Sequence, residues 1–277
     1  MASGRERAPR WNDLLGLLAE RGRLTVTDAC GLLDVSPATV RRDFNDLAAK
    51  QLVTRTHGGV VANAIAYDLP ARYKAAPAGS PRERVAHRAA QLVRIGGVVG
   101  FNGGTTTTAT ARHLLARPDV ASSSTREPTT IVTNALNIAT EMVLRPAVRC
   151  VTLGGVARAE SYEQTGSLAI QVMEQLWLDL LILGVGGIDG AAGATCRHED
   201  EAGINSTMVA RSDHVVVVAT GDKLGRTTFA RICGIEAITT LVTDASAPAH
   251  AVEKLREAGV DVVIADGLES AETVESR

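Results

Sequence analysis

Seven short runs of almost unbroken Val, Ile and Leu, separated by helical patterns, constrain the fold of this chain more than any other feature. They read "GVVGF", "TTIVTN", "VRCVTLGG", "LDLLILGV", "HVVVVAT", "ITTLVTD" and "VDVVIAD", with segments such as "ALNIATEMVL" and "GSLAIQVMEQL" between them. A strand with one face in water alternates apolar and polar residues, whereas a strand that is apolar throughout is covered on both faces. Such strands, separated by helices, predict a Rossmann-like, mostly parallel α/β domain. Ligands of these sheets bind beyond the carboxyl ends of the strands, so the residues just after each run are the candidate site.

The first strand end reads "NGGTTTTATARHL". Asn102, Gly103 and Gly104 make a tight turn, and Thr105, Thr106 and Thr107 open a helix whose N-H groups and hydroxyls suit a phosphate. The P-loop Lys is absent, which argues against a nucleotide triphosphate. The same residues also fit a threonine-capped turn with no ligand. Other strand ends supply Thr133 and Asn134, Gly154 and Gly155, the loop "GVGGIDGAAGAT" with Gly187 and Asp189, and Lys223 in "TGDKLGR". Together they would suit a small phosphorylated polyol, with Lys223 pairing the phosphate and Asp189 accepting from hydroxyls. The cluster "CRHEDE" holds metal-ligating residue types, yet its carboxylates fit the first turn of the helix "EDEAGINSTMVAR", where negative charge meets the helix dipole. No metal and no cofactor is expected.

The N-terminal segment follows a different logic. "RWNDLLGLLAERGRLTVTDACGLLDVSPATVRRDF" reads as a helix with Trp11, Leu14, Leu15 and Leu18 inward, then a short second helix and a third. Thr25 and Asp28 have capping-box spacing for the second helix, and Ser36-Pro37 starts the third. Counting about 100° per residue, Val40, Phe44 and Leu47 share one face, Ala38, Arg42 and Asn45 the opposite one, and Arg41 the flank. Two helices joined through so tight a turn, the second basic outside and apolar inside, predict a helix-turn-helix entering a major groove. "QLVTRTHGGVVAN" then suggests a hairpin wing that lays Arg55 and His57 along phosphates. The candidate DNA contacts are Thr25, Ser36, Pro37, Ala38, Thr39, Arg41, Arg42, Asn45, Arg55 and His57, with Arg42 reading base edges.

At 277 residues the chain can hold two domains. Its first 60 residues carry nine Lys/Arg against seven Asp/Glu, within an overall charge of −2. Aromatic residues are only 3%, too few for stacking platforms on single strands, so duplex DNA is the better partner. Four scattered cysteines indicate neither a zinc site nor a disulfide framework. "MASGRERAPRW" lacks the apolar core of a signal peptide, and "LWLDLLILGVGGI" is short and carries Asp179, so a cytoplasmic protein without membrane contact is expected.

The run from Leu24 to Gly59, with "VSPATVRRDFNDLAAKQLVTRTHGG" at its centre, resembles the winged helix-turn-helix of DeoR-type bacterial transcriptional regulators, and the resemblance continues through most of the chain. It implies a winged helix-turn-helix domain over 1–60 (the helix-turn-helix itself at about 24–43), a linker over 61–80, and an effector and oligomerisation domain over 81–277. That second domain, in this resemblance, is similar to sugar-phosphate isomerases and senses a phosphorylated sugar at the Gly104–Thr107 turn, Thr133-Asn134, Gly154-Gly155, Gly187-Ile188-Asp189 and Lys223. The implied function is a non-enzymatic repressor of sugar-catabolic genes that binds double-stranded operator DNA as a homo-oligomer, dimer or tetramer, and is released by its effector. Two positions depart from the family pattern: Asn102 and Thr220 stand where the family usually has Asp. A pocket made less negative in this way either favours a second anionic group on the ligand or has lost its ligand. The alternative from another class is a sugar-phosphate isomerase with an N-terminal extension. It needs a base to move a proton, for which Asp189 and Glu201 are the available carboxylates.

Overall fold

The computed structural model describes residues 10, 11, 13, 14, 17, 18, 23–49, 53–56, 58–62, 76, 77, 79–121 and 128–265. The chain divides into two compact units, Met1–Ala71 and Arg72–Arg277.

In the first unit, positions 10, 11, 13, 14, 17 and 18 are helical. Strand β1 (Arg23–Thr25) runs into helix α1 (Val26–Leu33), and Asp34, Val35 and Ser36 connect it to α2 (Pro37–Ala49). The strands β2 (Val53–Thr56) and β3 (Gly59–Ala62) pair antiparallel, and β1 joins them in the order β1-β3-β2. This is the expected winged helix-turn-helix. The capping box is formed: Asp28 N–H donates to Thr25 Oγ1 at 3.1 Å, and Thr25 N–H donates back to the Asp28 carboxylate at 3.3 Å. Asp34 makes the tight turn by adopting φ 52 and ψ 50, a left-handed conformation that Asp tolerates better than most residues. The two glycines after His57 serve different needs. Gly58 supplies a φ of 90, while β3 passes so close to β1 at Gly59 that a Cβ there would lie 2.3 Å from the Leu24 carbonyl oxygen. Leu14, Leu18, Leu24, Ala29, Leu33, Val40, Phe44, Leu47, Val53 and Val60 form the core of this unit.

In the second unit the seven apolar runs all become strands of one parallel sheet. They are β4 (Val98–Phe101), β5 (Thr129–Thr133), β6 (Val148–Thr152), β9 (Leu178–Gly184), β12 (Ser212–Val218), β14 (Thr240–Asp244) and β15 (Asp261–Ala265), in the order β15-β14-β12-β9-β4-β5-β6. Alternate residues face two separate cores. Leu181, Leu183, Val215 and Val217 pack with α6 (Ser167–Met173), α7 (Glu199–Ala210) and α8 (Ala249–Glu257). Ile182, Val216 and Val218 pack with α3 (Pro81–Gln91), α4 (Thr105–Ala116) and α5 (Leu136–Val143). The apolar runs therefore have the cause inferred for them, cover on both faces.

From β4 the chain proceeds outward through β5 and β6 on one side, and from β9 through β12, β14 and β15 on the other. The order thus reverses between β4 and β9, and a crevice opens at such a switch point beyond the strand ends. Smaller pieces decorate this edge: the β7 (Val156–Ala157) and β8 (Gln164–Thr165) pair, and a three-stranded sheet of β10 (Gly187–Asp189), β11 (Gly193–Cys196) and β13 (Ala230–Cys233). Among the described residues no helix is long and apolar enough to cross a membrane.

Candidate functional site

The first candidate surface is the outer face of α2. Val40, Phe44 and Leu47 are buried, while Ala38, Arg41, Arg42 and Asn45 are exposed, as the angular count requires. Arg41, Arg42 and Asn45 make no hydrogen bond or ion pair with another described residue, so their donors are available. Thr25, Ser36 and Thr39 are committed to helix ends: Ser36 Oγ accepts from Thr39 N–H at 3.2 Å and shares a hydrogen bond with the Thr39 hydroxyl at 2.9 Å. Pro37 occupies the first helical position, where its lacking N–H costs nothing. On the wing, Arg55 is exposed with its guanidinium 5.9 Å from the Phe44 ring centroid and Nη1 donating to Gly59 O at 3.4 Å. His57 lies outside the described residues.

A residue that sequence reasoning passed over anchors this surface. Asp43, only 2% exposed, accepts from Arg10 Nε at 2.6 Å, Arg10 Nη2 at 3.0 Å and Trp11 Nε1 at 3.0 Å. The third member of the Arg-Arg-Asp triplet thus ties α2 to the leading helical stretch, and its neighbours are free to face outward. The signal was present: position 43 falls on the same helical face as Val40, Phe44 and Leu47.

The second candidate is a cavity of about 570 Å³ at the switch point. Its wall is built from the ends of three adjacent central strands: Asn102–Thr106 after β4, Gly184–Gly186 after β9, and Ala219, Thr220, Asp222 and Lys223 after β12. Thr105 and Thr106 keep free hydroxyls among the described residues, and no side chain caps α4, whose N-cap is Gly104. Lys223 Nζ stands 3.3 Å from Asp222 Oδ2. Arg82 and Arg197 add positive charge to the lining; Glu160, Glu163 and Glu201 add carboxyl groups.

The two departures from the family pattern have local explanations. Asn102, 1% exposed, donates from Nδ2 to Gly184 O at 3.0 Å and accepts Gly184 N–H on Oδ1 at 2.7 Å. This reciprocal pair stitches the two strands that flank the crevice, and a carboxylate, which only accepts, could make half of it. Thr220 donates its hydroxyl to Asp222 Oδ1 at 2.5 Å, holding the carboxylate that faces Lys223. The pocket is not short of negative groups, because Glu160, Glu201 and Asp222 line it.

The other expected effector residues sit elsewhere, for a reason that follows from strand order. β5 and β6 are one and two strands beyond the switch point. Thr133 is buried and donates to Phe101 O at 2.6 Å; Gly154 and Gly155, with φ 73 and 104, turn the chain after β6. Asn134 reaches the cavity only through Glu163, donating to its Oε2 at 3.0 Å. Thr107 turns back to Gly104 O at 3.0 Å. At Gly187 a Cβ would lie 2.4 Å from the Arg226 carbonyl oxygen, so that glycine serves packing. Asp189 is not among the residues lining this cavity; it closes the β10–β11 turn by accepting from the N–H groups of Ala191 and Ala192 at 2.9 and 3.2 Å.

In their place stand Glu163, Glu201 and Asn205. Tyr162, with φ 59, swings the chain so that Glu163 enters the crevice directly over Gly103, where a Cβ would lie 2.3 Å from Glu163 Cγ. Burial, and then the charge of Glu201, push the Glu163 carboxyl up to about 8, so it is neutral at pH 7. Glu201 pairs with Arg158 at 3.3 Å, and Asn205 Nδ2 donates to Glu163 Oε2 at 3.5 Å. As read from the sequence, Glu199, Asp200 and Glu201 occupy the first turn of α7. Residues 201, 204, 205 and 208 share its inward face, all buried, so the polar members of an apolar stripe marked the site.

Residues 10–66 match the model of the DeoR-like helix-turn-helix domain, and residues 79–245 match that of the DeoR C terminal sensor domain. A putative aga operon transcriptional repressor of Escherichia coli O157:H7 is 28% identical over 95% of this chain and 97% of its own length. The glycerol-3-phosphate regulon repressor of Escherichia coli K12 is 27% identical over 90% and 95%. The HTH-type transcriptional regulator GlpR of Haloferax volcanii is 31% identical over 92% and 97%.

Proposed function

Since the chain belongs to the DeoR family of transcriptional regulators, we propose that it represses sugar-catabolic genes by holding an operator through α2 and the wing, and releases it when a phosphorylated sugar fills the switch-point cavity. As a regulator it is a DNA-binding protein and not an enzyme, which sets aside the isomerase alternative. The observation that carries the effector half is the uncapped start of α4, whose Thr105 and Thr106 line the same cavity as Lys223: N–H groups, two free hydroxyls and a cation border one space, a donor set suited to an anion. On the DNA side, Arg42 reads base edges while Arg41, Arg55 and His57 hold phosphates. Of the boundaries read from the sequence, a DNA-binding domain over 1–60, a linker over 61–80 and an effector domain over 81–277, we move the first to Ala62, the end of β3, so that the linker begins at 63.

One winged helix reads few base pairs, so specific binding requires two half-sites and a symmetric oligomer. Leu168 and Val172, one turn apart on α6 and 63% and 40% exposed, offer an apolar face for such contacts. Light scattering that found only monomer at micromolar concentration, with and without DNA, would remove the oligomer.

The effector reading is tested by calorimetric titration of the wild type and Lys223→Ala with sugar phosphates, alongside gel-shift binding to the intergenic DNA flanking its gene. The expected result is binding that Lys223→Ala weakens at least tenfold and that lowers DNA affinity in the wild type. Absence of binding by any phosphate ester, or binding without effect on DNA affinity, overturns it.

A further inference from the structure

Resting on the reading of the cavity as an anion site, we propose that its inner end, formed by Asn205, Glu163 and Glu201, is a second subsite that takes the hydroxyl groups of a phosphorylated polyol. Asn205 is 1% exposed and lines the cavity, yet its Oδ1 has no hydrogen-bond partner among the described residues. A buried acceptor left unpaired is destabilising, and a ligand donor that met it would offset that cost. Asn205 Nδ2 faces Glu163 Oε2 at 3.5 Å, which leaves Oδ1 directed away from that carboxyl group.

The neighbouring groups define what that donor is. Glu163 is 4% exposed, and its Oε2 already accepts from Asn134 at 3.0 Å and Asn205 at 3.5 Å. Its side chain lies over Gly103, immediately before the Gly104–Thr106 turn that lines the same cavity. Glu201 is held by Arg158 at 3.3 Å. The unpaired amide oxygen, the protonated Glu163 and the Glu201 carboxylate together offer several acceptors and one donor, a set that suits hydroxyl groups, and the Glu201 charge disfavours a second phosphate or carboxylate. With the anion at α4 and Lys223, the cavity suits a ligand that is a phosphate ester at one end and a neutral polyol at the other. Of the two outcomes expected for Asn102 and Thr220, this rejects a second anionic group at the inner end.

The experiment compares inorganic phosphate with glycerol 3-phosphate and hexose monophosphates on the wild type, Asn205→Ala and Asn205→Asp, with thermal melting to confirm folding. At least one ester should bind the wild type tenfold or more tighter than inorganic phosphate, and Asn205→Ala should abolish that advantage while leaving phosphate binding within twofold. Asn205→Asp, which keeps an acceptor at the same place, should restore part of it. If an ester keeps its advantage in folded Asn205→Ala, the hydroxyl subsite is wrong and the anion site stands. If neither ester nor phosphate binds the wild type, both readings fall together. A sugar bisphosphate that gains further affinity and loses it in Asn205→Ala also overturns the subsite, since a second anion would then occupy the inner end.

Discussion

The DNA-binding head and the sensor body each bury an acidic side chain, and they treat it in opposite ways. In the head, Asp43 is enclosed by three donors from Arg10 and Trp11, so charge and hydrogen-bonding capacity are both met within the protein. In the body, Glu163 is flanked by amides and a second carboxyl group, holds its proton, and sits beside an amide oxygen that no described residue meets. A closed polar cluster fixes geometry, whereas an unfinished one marks where something else belongs.

The largest expected effect breaks the closed cluster. Asp43→Ala leaves the Arg10 guanidinium buried without its carboxylate and should destabilise the head by about 3 to 5 kcal/mol, read by chemical denaturation, with loss of DNA binding. Glu163→Gln tests the open one. A carboxyl group at about 8 in the folded protein against 4.5 when unfolded means the native state holds the extra proton between those values. Wild-type stability should therefore fall as pH rises from about 4.5 through 8, by on the order of 5 kcal/mol, and Glu163→Gln should flatten that slope. Equal slopes in thermal melts of the two proteins would show that Glu163 ionises normally and that the contrast is false.

Two smaller effects sharpen the head's side of the comparison. Arg42→Ala should cost about 1 to 3 kcal/mol at the operator and relax base preference there, while Arg55→Ala should weaken specific and random DNA alike. Equal losses for Arg42→Ala on both DNAs would move Arg42 to the phosphates. Ser36→Ala removes the hydrogen bond to Thr39 N–H and should cost about 1 kcal/mol of head stability, seen as a small shift in the denaturation midpoint.

The contrast also explains what could be read from residues alone. All seven sheet strands and the α2 face were legible, because apolar runs and helical spacing record burial directly. The cavity-lining turn after β4 was legible through its glycines and threonines. Strand order was not, since it depends on pairings between distant segments. Thr133, Asn134, Gly154 and Gly155 were therefore grouped with an edge that β5 and β6 carry away from the switch point. Asp189 looked like a ligand because a local Asx turn leaves the same trace as a binding loop. Asp43 and Asn205 were hidden for one shared reason: a polar residue on an apolar stripe reads as noise until its partner, or lack of one, is seen.

The Asn102–Gly184 pair joins residues 82 positions apart in the chain, and this has a kinetic consequence. The head completes its sheet with a pairing that reaches only from Arg23 to Val61, whereas the centre of the body cannot close until β9 has been made. Closing that long loop has an entropic cost that must be met before any contact across the crevice repays it, which slows folding of the body relative to the head. On a ribosome the DNA-binding unit therefore reaches its native pairings before the strands that bound the cavity have closed.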